Sequence, residues 1–175
     1  MIVLWVILTF IGIAITALIA NAVEDYNSTL KFPIQSTLQG IGLPIIALYN
    51  NNKIFNFLID SGANLSLIDS NIVSELKCDY LDNKGTMYGI GGNIVDVTYI
   101  SVPLYIEDSM FTEEFQVMDL DPTFCRIEKK NGVRIHGVLG NSFFNKYNGI
   151  INYKKYIFYL EKNGKKDNST KQKCK

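Results

Sequence analysis

Histidine is almost missing from this chain: His136 is the only one in 175 residues. A Ser-His-Asp triad or a zinc site would have to be built around that one imidazole, and no HExxH spacing surrounds it. His136 therefore reads as structural. Cysteine is scarce as well. Cys78, Cys125 and Cys174 are odd in number and lack CxxC spacing, which fits neither a disulfide framework nor a zinc site. No metal and no cofactor is expected. Nor is there an excess of charge of either sign, since 17 Lys and Arg balance 17 Asp and Glu. Without a basic face to follow a phosphate backbone, nucleic acid is not an expected partner.

Residues 1–22, MIVLWVILTFIGIAITALIANA, contain no charged side chain at all. As a helix they are long enough to cross a hydrocarbon core of ~30 Å. Ala20-Asn21-Ala22 also offers a small-x-small cleavage site, but a basic n-region is absent and the apolar run is long. A retained single-pass membrane anchor is thus favoured over a cleaved secretory signal. Few Lys or Arg lie near the span, so the positive-inside rule has little to count. The soluble part is expected on the extracytoplasmic side, or secreted if the segment is cleaved. Gly12, Thr16 and Ala20 share one helix face as a small-xxx-small stripe, which would let two such helices approach closely.

The rest of the chain is long enough for one domain with a real core and too short for two large ones. Residues 23–33 (VEDYNSTLKFP) are polar and read as a tether, and the folded domain is expected over 34–161. Residues 162–175, rich in Lys, Asn and Ser, carry too few apolar side chains to pack and are expected to be disordered. Within the domain, short β-branched and aromatic runs are cut by turn signals, an all-β pattern. PIIALYNNNKIFNFLID reads as a hairpin around Asn50-Asn51-Asn52, and further strands are expected in TMYGI, NIVDVTYISVPLYI, EEFQVMDL, GIINY and KYIFYLE. Two short helices interrupt the pattern, DSNIVSELKC with Asp69 or Ser70 as N-cap, and NSFFNKY. DPTFCRIEKKNGVRIH, which includes residues 121–136, suggests no role.

One residue breaks the hydrophobic logic. In FNFLIDSGANLSLIDS, Asp60 ends an apolar strand and is followed at once by Ser61 and Gly62. A carboxylate there needs a partner, a hydrogen-bond cage or a function, because burying it charged is costly. Asp-Ser-Gly is also an ordinary turn, with Gly62 open to positive φ. The order of the surrounding features favours a function. Some thirty residues on, MYGIGGNIV sets two strand-like arms around Gly89-Ile90-Gly91-Gly92, and further on IHGVLGNSFF presents Gly-Val-Leu-Gly before a helix start.

With these features in this order, residues 34 to 160 resemble the retropepsin-like, retroviral-type aspartic proteases. The resemblance implies a small closed β-barrel or sandwich with one or two short helices, here behind an N-terminal transmembrane helix. It implies that Asp60 is the catalytic aspartate and that Ser61, Gly62 and Ala63 form the active-site loop. Gly89, Ile90, Gly91 and Gly92 resemble the tip of the substrate-covering flap, with Asn64 a further substrate contact. Val138, Leu139 and Gly140 resemble the segment packed behind the aspartate loop. Retroviral enzymes usually carry an acidic residue where this chain has Asn64, and Leu65 makes that rim more apolar. Such chemistry needs two carboxylates sharing one proton. Only one Asp-Ser-Gly occurs, so the expected enzyme is a membrane-anchored homodimer that cleaves peptide or protein substrates. The alternative is a catalytically inactive module of the same fold used for dimerisation or peptide binding. A nucleotide-binding Asp-x-Gly loop of the actin or sugar-kinase kind would need two large α/β domains that ~150 soluble residues cannot supply.

Overall fold

The computed structural model describes residues 11–20, 29–88, 94–106 and 108–162, without the side chains of 83–88 and 94–96. Helix α1 covers residues 11–20 and its side chains are exposed. Among the described residues no helix is long and apolar enough to cross a membrane. The remainder of the expected span, residues 1–10 and 21–22, lies outside the described residues.

The domain runs in chain order through β1 (Thr29–Pro33), α2 (Gln35–Gly40), β2 (Ile45–Asn50), β3 (Lys53–Ile59) and β4 (Ser66–Asp69). A 3-10 turn (Ser70–Glu75) leads to the long strands β5 (Asp79–Tyr88), β6 (Ile94–Ile106) and β7 (Ser109–Met118). Then come α3 (Asp121–Asn131), β8 (Gly137–Leu139), α4 (Asn141–Lys146), β9 (Ile150–Asn152) and β10 (Ile157–Glu161).

Local chemistry explains several of these boundaries. Asn51 and Asn52 take φ values of 50° and 60°, as a two-residue type I′ hairpin turn requires, and Asn tolerates that region better than most residues. The β2–β3 ladder pairs Ile45 with Leu58 and Asn50 with Lys53 at its two ends. Asp69 caps the 3-10 turn by accepting the Asn71 N–H at 3.2 Å. Alternation does the rest: Phe55, Phe57 and Ile59 of β3 point inward while Asn56 and Leu58 between them are only half-buried.

Seven strands form one sheet in the order β2-β3-β8-β4-β7-β6-β5, and a further pairing of β2 with β6 at Tyr49 and Tyr105 closes it. Six strands thus make a barrel, with β5 lying outside the closure. Its interior holds Phe57, Phe115, Ile68, Ile100, Leu104 and Leu139, all essentially inaccessible to solvent. Full burial of each such side chain contributes roughly 1.5–3 kcal/mol. The Phe57 and Phe115 rings lie 5.6 Å apart, and Tyr147 meets Phe111 edge-on at 4.9 Å. A second sheet, β1-β10-β9, packs Leu30, Phe158 and Leu160 against the same core.

The all-β-dominated expectation holds, with three corrections. Residues 29–33, expected within the tether, form β1 and pair with β10 from Thr29/Glu161 to Pro33/Ile157. The Lys and Pro in this strand hide a two-residue repeat whose inward member is Leu30. The first expected helix is a 3-10 turn. More helix is present than the one or two pieces expected: α2 and α3 are additional, and neither contains a buried residue, so no apolar stripe announces them. Of the tail, residues 163–175 lie outside the described residues.

Candidate active site

β3 delivers Asp60 to the barrel's end, where the residue is half-buried. Its N–H donates to the Leu139 carbonyl at 3.0 Å, continuing the parallel ladder that joins β3 to β8. The chain then turns tightly. Asp60 Oδ1 accepts the Gly62 N–H at 2.8 Å, and the Ala63 N–H donates to the Asp60 carbonyl at 3.2 Å. Ser61 and Gly62 stand exposed. A Cβ on Gly62 would lie 3.1 Å from Asp60 Oδ1, against the oxygen that the turn orients.

The return strand is placed by β8, which is parallel to β3 and antiparallel to β4. β8 therefore threads between the strand that enters the Asp60 turn and the strand that leaves it. Val138 pairs with Leu58 on one side and Leu67 on the other. Just beyond, the Asn141 N–H donates to the Ala63 carbonyl at 2.8 Å and the Ser142 N–H to the Asn64 carbonyl at 3.1 Å. A Cβ on Gly140 would come within 2.5 Å of the Leu65 carbonyl oxygen and 2.9 Å of that of Ala63, so the approach requires glycine.

Of the residues singled out in the sequence, Asp60, Ser61, Gly62, Ala63, Asn64, Val138, Leu139 and Gly140 are thus brought together at one end of the barrel. Gly89, Ile90, Gly91 and Gly92 lie outside the described residues. The two arms that carry them, β5 and β6, pair from Asp79/Ser101 to Tyr88/Ile94 with one register shift. The ion pairs Lys53–Glu75 at 2.8 Å and Arg134–Asp69 at 3.7 Å do not involve Asp60. No group of three His, Cys, Asp or Glu able to hold a metal occurs among the described residues. His136 is a structural link. Its Nδ1 accepts the Asn56 N–H at 2.9 Å and its ring meets Phe55 edge-on at 5.3 Å. Burial pushes its pKa below the ordinary value, with the Arg134 charge acting in the same sense.

Sequence reasoning missed Glu113. Its side chain is buried on β7, 2 % exposed, and reaches the end of the Asp60 loop through Ser66. Oε1 accepts the hydroxyl of Ser66 at 2.8 Å and that of Ser142 at 2.7 Å. The signal was present in the alternation of β7, where Phe111, Glu113 and Phe115 share the inward face. Glu113 also borders a cavity of about 390 Å³ that Leu65, Tyr99 and Lys146 help to line.

The model of the family described as "Aspartyl protease" matches residues 46–143. A search of curated proteins returns no match. Among solved structures, the retropepsin-like aspartic protease from Rickettsia conorii is similar at 16% identity and a TM-score of 0.44, covering 75% of this chain and 88% of that one. EIAV protease in complex with the inhibitor HBY-793 gives 19% identity, a TM-score of 0.41 and coverage of 58% and 85%. The retroviral protease-like domain of Ddi1 from Leishmania major gives 13%, 0.49, 67% and 87%. The family match spans more than half of the chain, from β2 to the first turn of α4, and includes both the Asp60 turn and the β8 segment behind it. This chain belongs to the aspartyl protease family.

Proposed function

We propose that this chain is a homodimeric aspartic endopeptidase in which Asp60 and the Asp60 of a second copy activate one water molecule for peptide-bond hydrolysis. The observation that carries the reading is the Asp60 turn itself: a carboxylate at a strand end, unpaired with any cation among the described residues, oriented by its own Gly62 N–H and braced from behind by β8.

Two carboxyls brought face to face repel each other when both are charged, so the pair would share one proton. The ionised member takes a proton from water as the oxygen attacks the peptide carbon. The protonated member hydrogen-bonds the carbonyl oxygen as it becomes an oxyanion. Collapse of the tetrahedral intermediate breaks the C–N bond, and the proton taken from water passes to the leaving amine. Water is the nucleophile, so the reaction asks for no cofactor. A two-fold axis through the site supplies the second carboxyl that a chain with one Asp-Ser-Gly lacks. Ser61 and Gly62, exposed at the turn, are where the two loops would meet. Ala63 and Asn64 would offer contacts to an extended peptide backbone, with Gly89 to Gly92 covering it.

The charge-free segment 1–22 supports a membrane anchor on the same reading, and two chains held in one bilayer have a raised effective concentration. The test is a peptide-library cleavage assay over pH 4 to 7, with and without a statine-type transition-state mimic. Cleavage blocked by the mimic is expected. Cleavage that is blocked only by a chelator or a serine-directed reagent contradicts the proposal.

A further inference from the structure

Where β4 leaves the Asp60 loop, four polar groups from three elements meet, with Ser66, Glu113 and Gly140 buried and Ser142 half-buried. The hydroxyls of Ser66 and Ser142 both donate to Glu113 Oε1, at 2.8 and 2.7 Å, and their oxygens lie 3.2 Å apart. Ser66 Oγ in turn accepts the Gly140 N–H at 3.1 Å. Ser66 opens β4 at the end of the aspartate loop, while Gly140 links β8 to α4 and Ser142 lies in the first turn of α4. The network therefore joins the strand leaving the loop to the segment bracing it.

A buried carboxylate is a costly way to join two segments when apolar packing would serve. What the carboxylate adds is direction. An ionised carboxylate only accepts, so both hydroxyls must point their protons at it, and each serine oxygen is left with lone pairs only. Ser66 then faces Gly140 as an obligate acceptor. We propose that Glu113 is a positioning residue for the active site, fixing the placement of the Asp60 turn against the Gly140–Ser142 segment by setting the direction of the Ser66 and Ser142 hydrogen bonds. Its effect on cleavage rests on the endopeptidase reading, whereas its effect on the Gly140 N–H does not.

The charged and titratable groups around Glu113 are Lys146 of α4 and Tyr147 just after it, Glu114 beside it on β7, and Tyr99 of β6 across the cavity. Lys146 commits its Nζ to the Thr112 carbonyl at 2.6 Å. Burial raises the Glu113 carboxyl above its ordinary value of 4.5, against the opposing pull of the two hydroxyls and of Lys146. Protonation gives Glu113 an O–H of its own and lets both serine hydroxyls turn away. The lock loosens on mild acidification.

The experiment is a pH titration of backbone amides by NMR on the full chain in detergent micelles, beside peptide cleavage by the same samples. In the wild type, the Gly140 and Ser142 amides are expected to shift together with a midpoint above 4.5. In Glu113→Gln, whose amide oxygen can accept the same hydroxyls, that shift is expected to vanish while kcat at pH 7 stays within about threefold. Glu113→Leu is expected to lower kcat about tenfold or more with KM within about twofold, since a small misplacement of a reacting group costs rate rather than binding. Ser142→Ala, which removes one donor and leaves the core intact, is expected to move the Gly140 amide and lower kcat about threefold. An unchanged Gly140 titration in Glu113→Gln, or wild-type kcat in both Glu113→Leu and Ser142→Ala, overturns the proposal even if cleavage depends on Asp60. A titration that Glu113→Gln abolishes in a chain that cleaves nothing upholds the positioning role and removes the endopeptidase reading instead.

Discussion

Gly140 sits so close to Leu65 that a Cβ at residue 140 would lie 2.5 Å from the Leu65 carbonyl oxygen. The obstacle is backbone, and the two preceding carbonyls, of Ala63 and Asn64, accept the Asn141 and Ser142 N–H groups, so this stretch cannot swing aside. At Gly62 the nearest obstacle is instead a side-chain oxygen, Asp60 Oδ1, at 3.1 Å. Gly140→Ala is therefore expected to destabilise the domain by about 1–3 kcal/mol, as overpacking typically does, and Gly62→Ala by clearly less. Urea unfolding followed by circular dichroism checks the ranking. Equal midpoints for the two variants would show that β8 does not brace the turn as tightly as the distances indicate.

Glu113 is expected to lower stability at neutral pH. Its carboxyl is raised by burial in the folded chain, so between 4.5 and that raised value the folded state binds more protons than the unfolded one. The stability it contributes is full below its unfolded value and falls as pH rises through the folded one. Glu113→Gln should thus be more stable than wild type at pH 7, with the difference shrinking by pH 4. A variant less stable at pH 7 would reverse the sign.

His136 works in the opposite direction. Its neutral Nδ1 accepts the Asn56 N–H, and burial, aided by Arg134, depresses its pKa below 6.5. Its contribution is present above the unfolded value and is lost as pH falls through the folded one. His136→Asn keeps an acceptor and removes the titration. Between pH 7.5 and 5 the wild type is expected to lose more stability than this variant, read from urea midpoints at each pH; parallel losses would rule the imidazole out as the source.

On the proposed homodimeric reading, removal of residues 1–22 is expected to weaken dimerisation and peptide cleavage together, because both would depend on the concentration of paired chains. Sedimentation of the shortened chain beside full-length protein in micelles checks this. The same dimer affinity with and without the segment would leave the N-terminus no part in assembly.

Much of the domain could be read from local chemistry. The Asn51-Asn52 turn, the Asp69 cap, the short helix before Tyr147 and the alternation through Phe55, Phe57 and Ile59 each follow from side chains a few residues apart. The Asp60 turn and the Val138-Leu139-Gly140 segment were also visible as separate pieces. What sequence could not supply was their meeting: the threading of β8 between β3 and β4 joins residues some 70 to 80 positions apart, and no local preference fixes such a register. β1 was lost because Lys31 and Pro33 make a strand look like a linker, and α3 because it buries nothing. Glu113 was overlooked because a Glu-Glu pair suggests a solvated strand, although the phenylalanines on either side place it inward.

The most direct test of Asp60 is its replacement by asparagine, which preserves shape and the acceptor for the Gly62 N–H while removing the ionisable group. Circular dichroism and urea midpoint are expected to stay near wild type, with peptide cleavage falling to background at every pH from 4 to 7. Folded Asp60→Asn protein that cleaves the same peptides at the wild-type rate would contradict the assignment of Asp60 as the group that activates water.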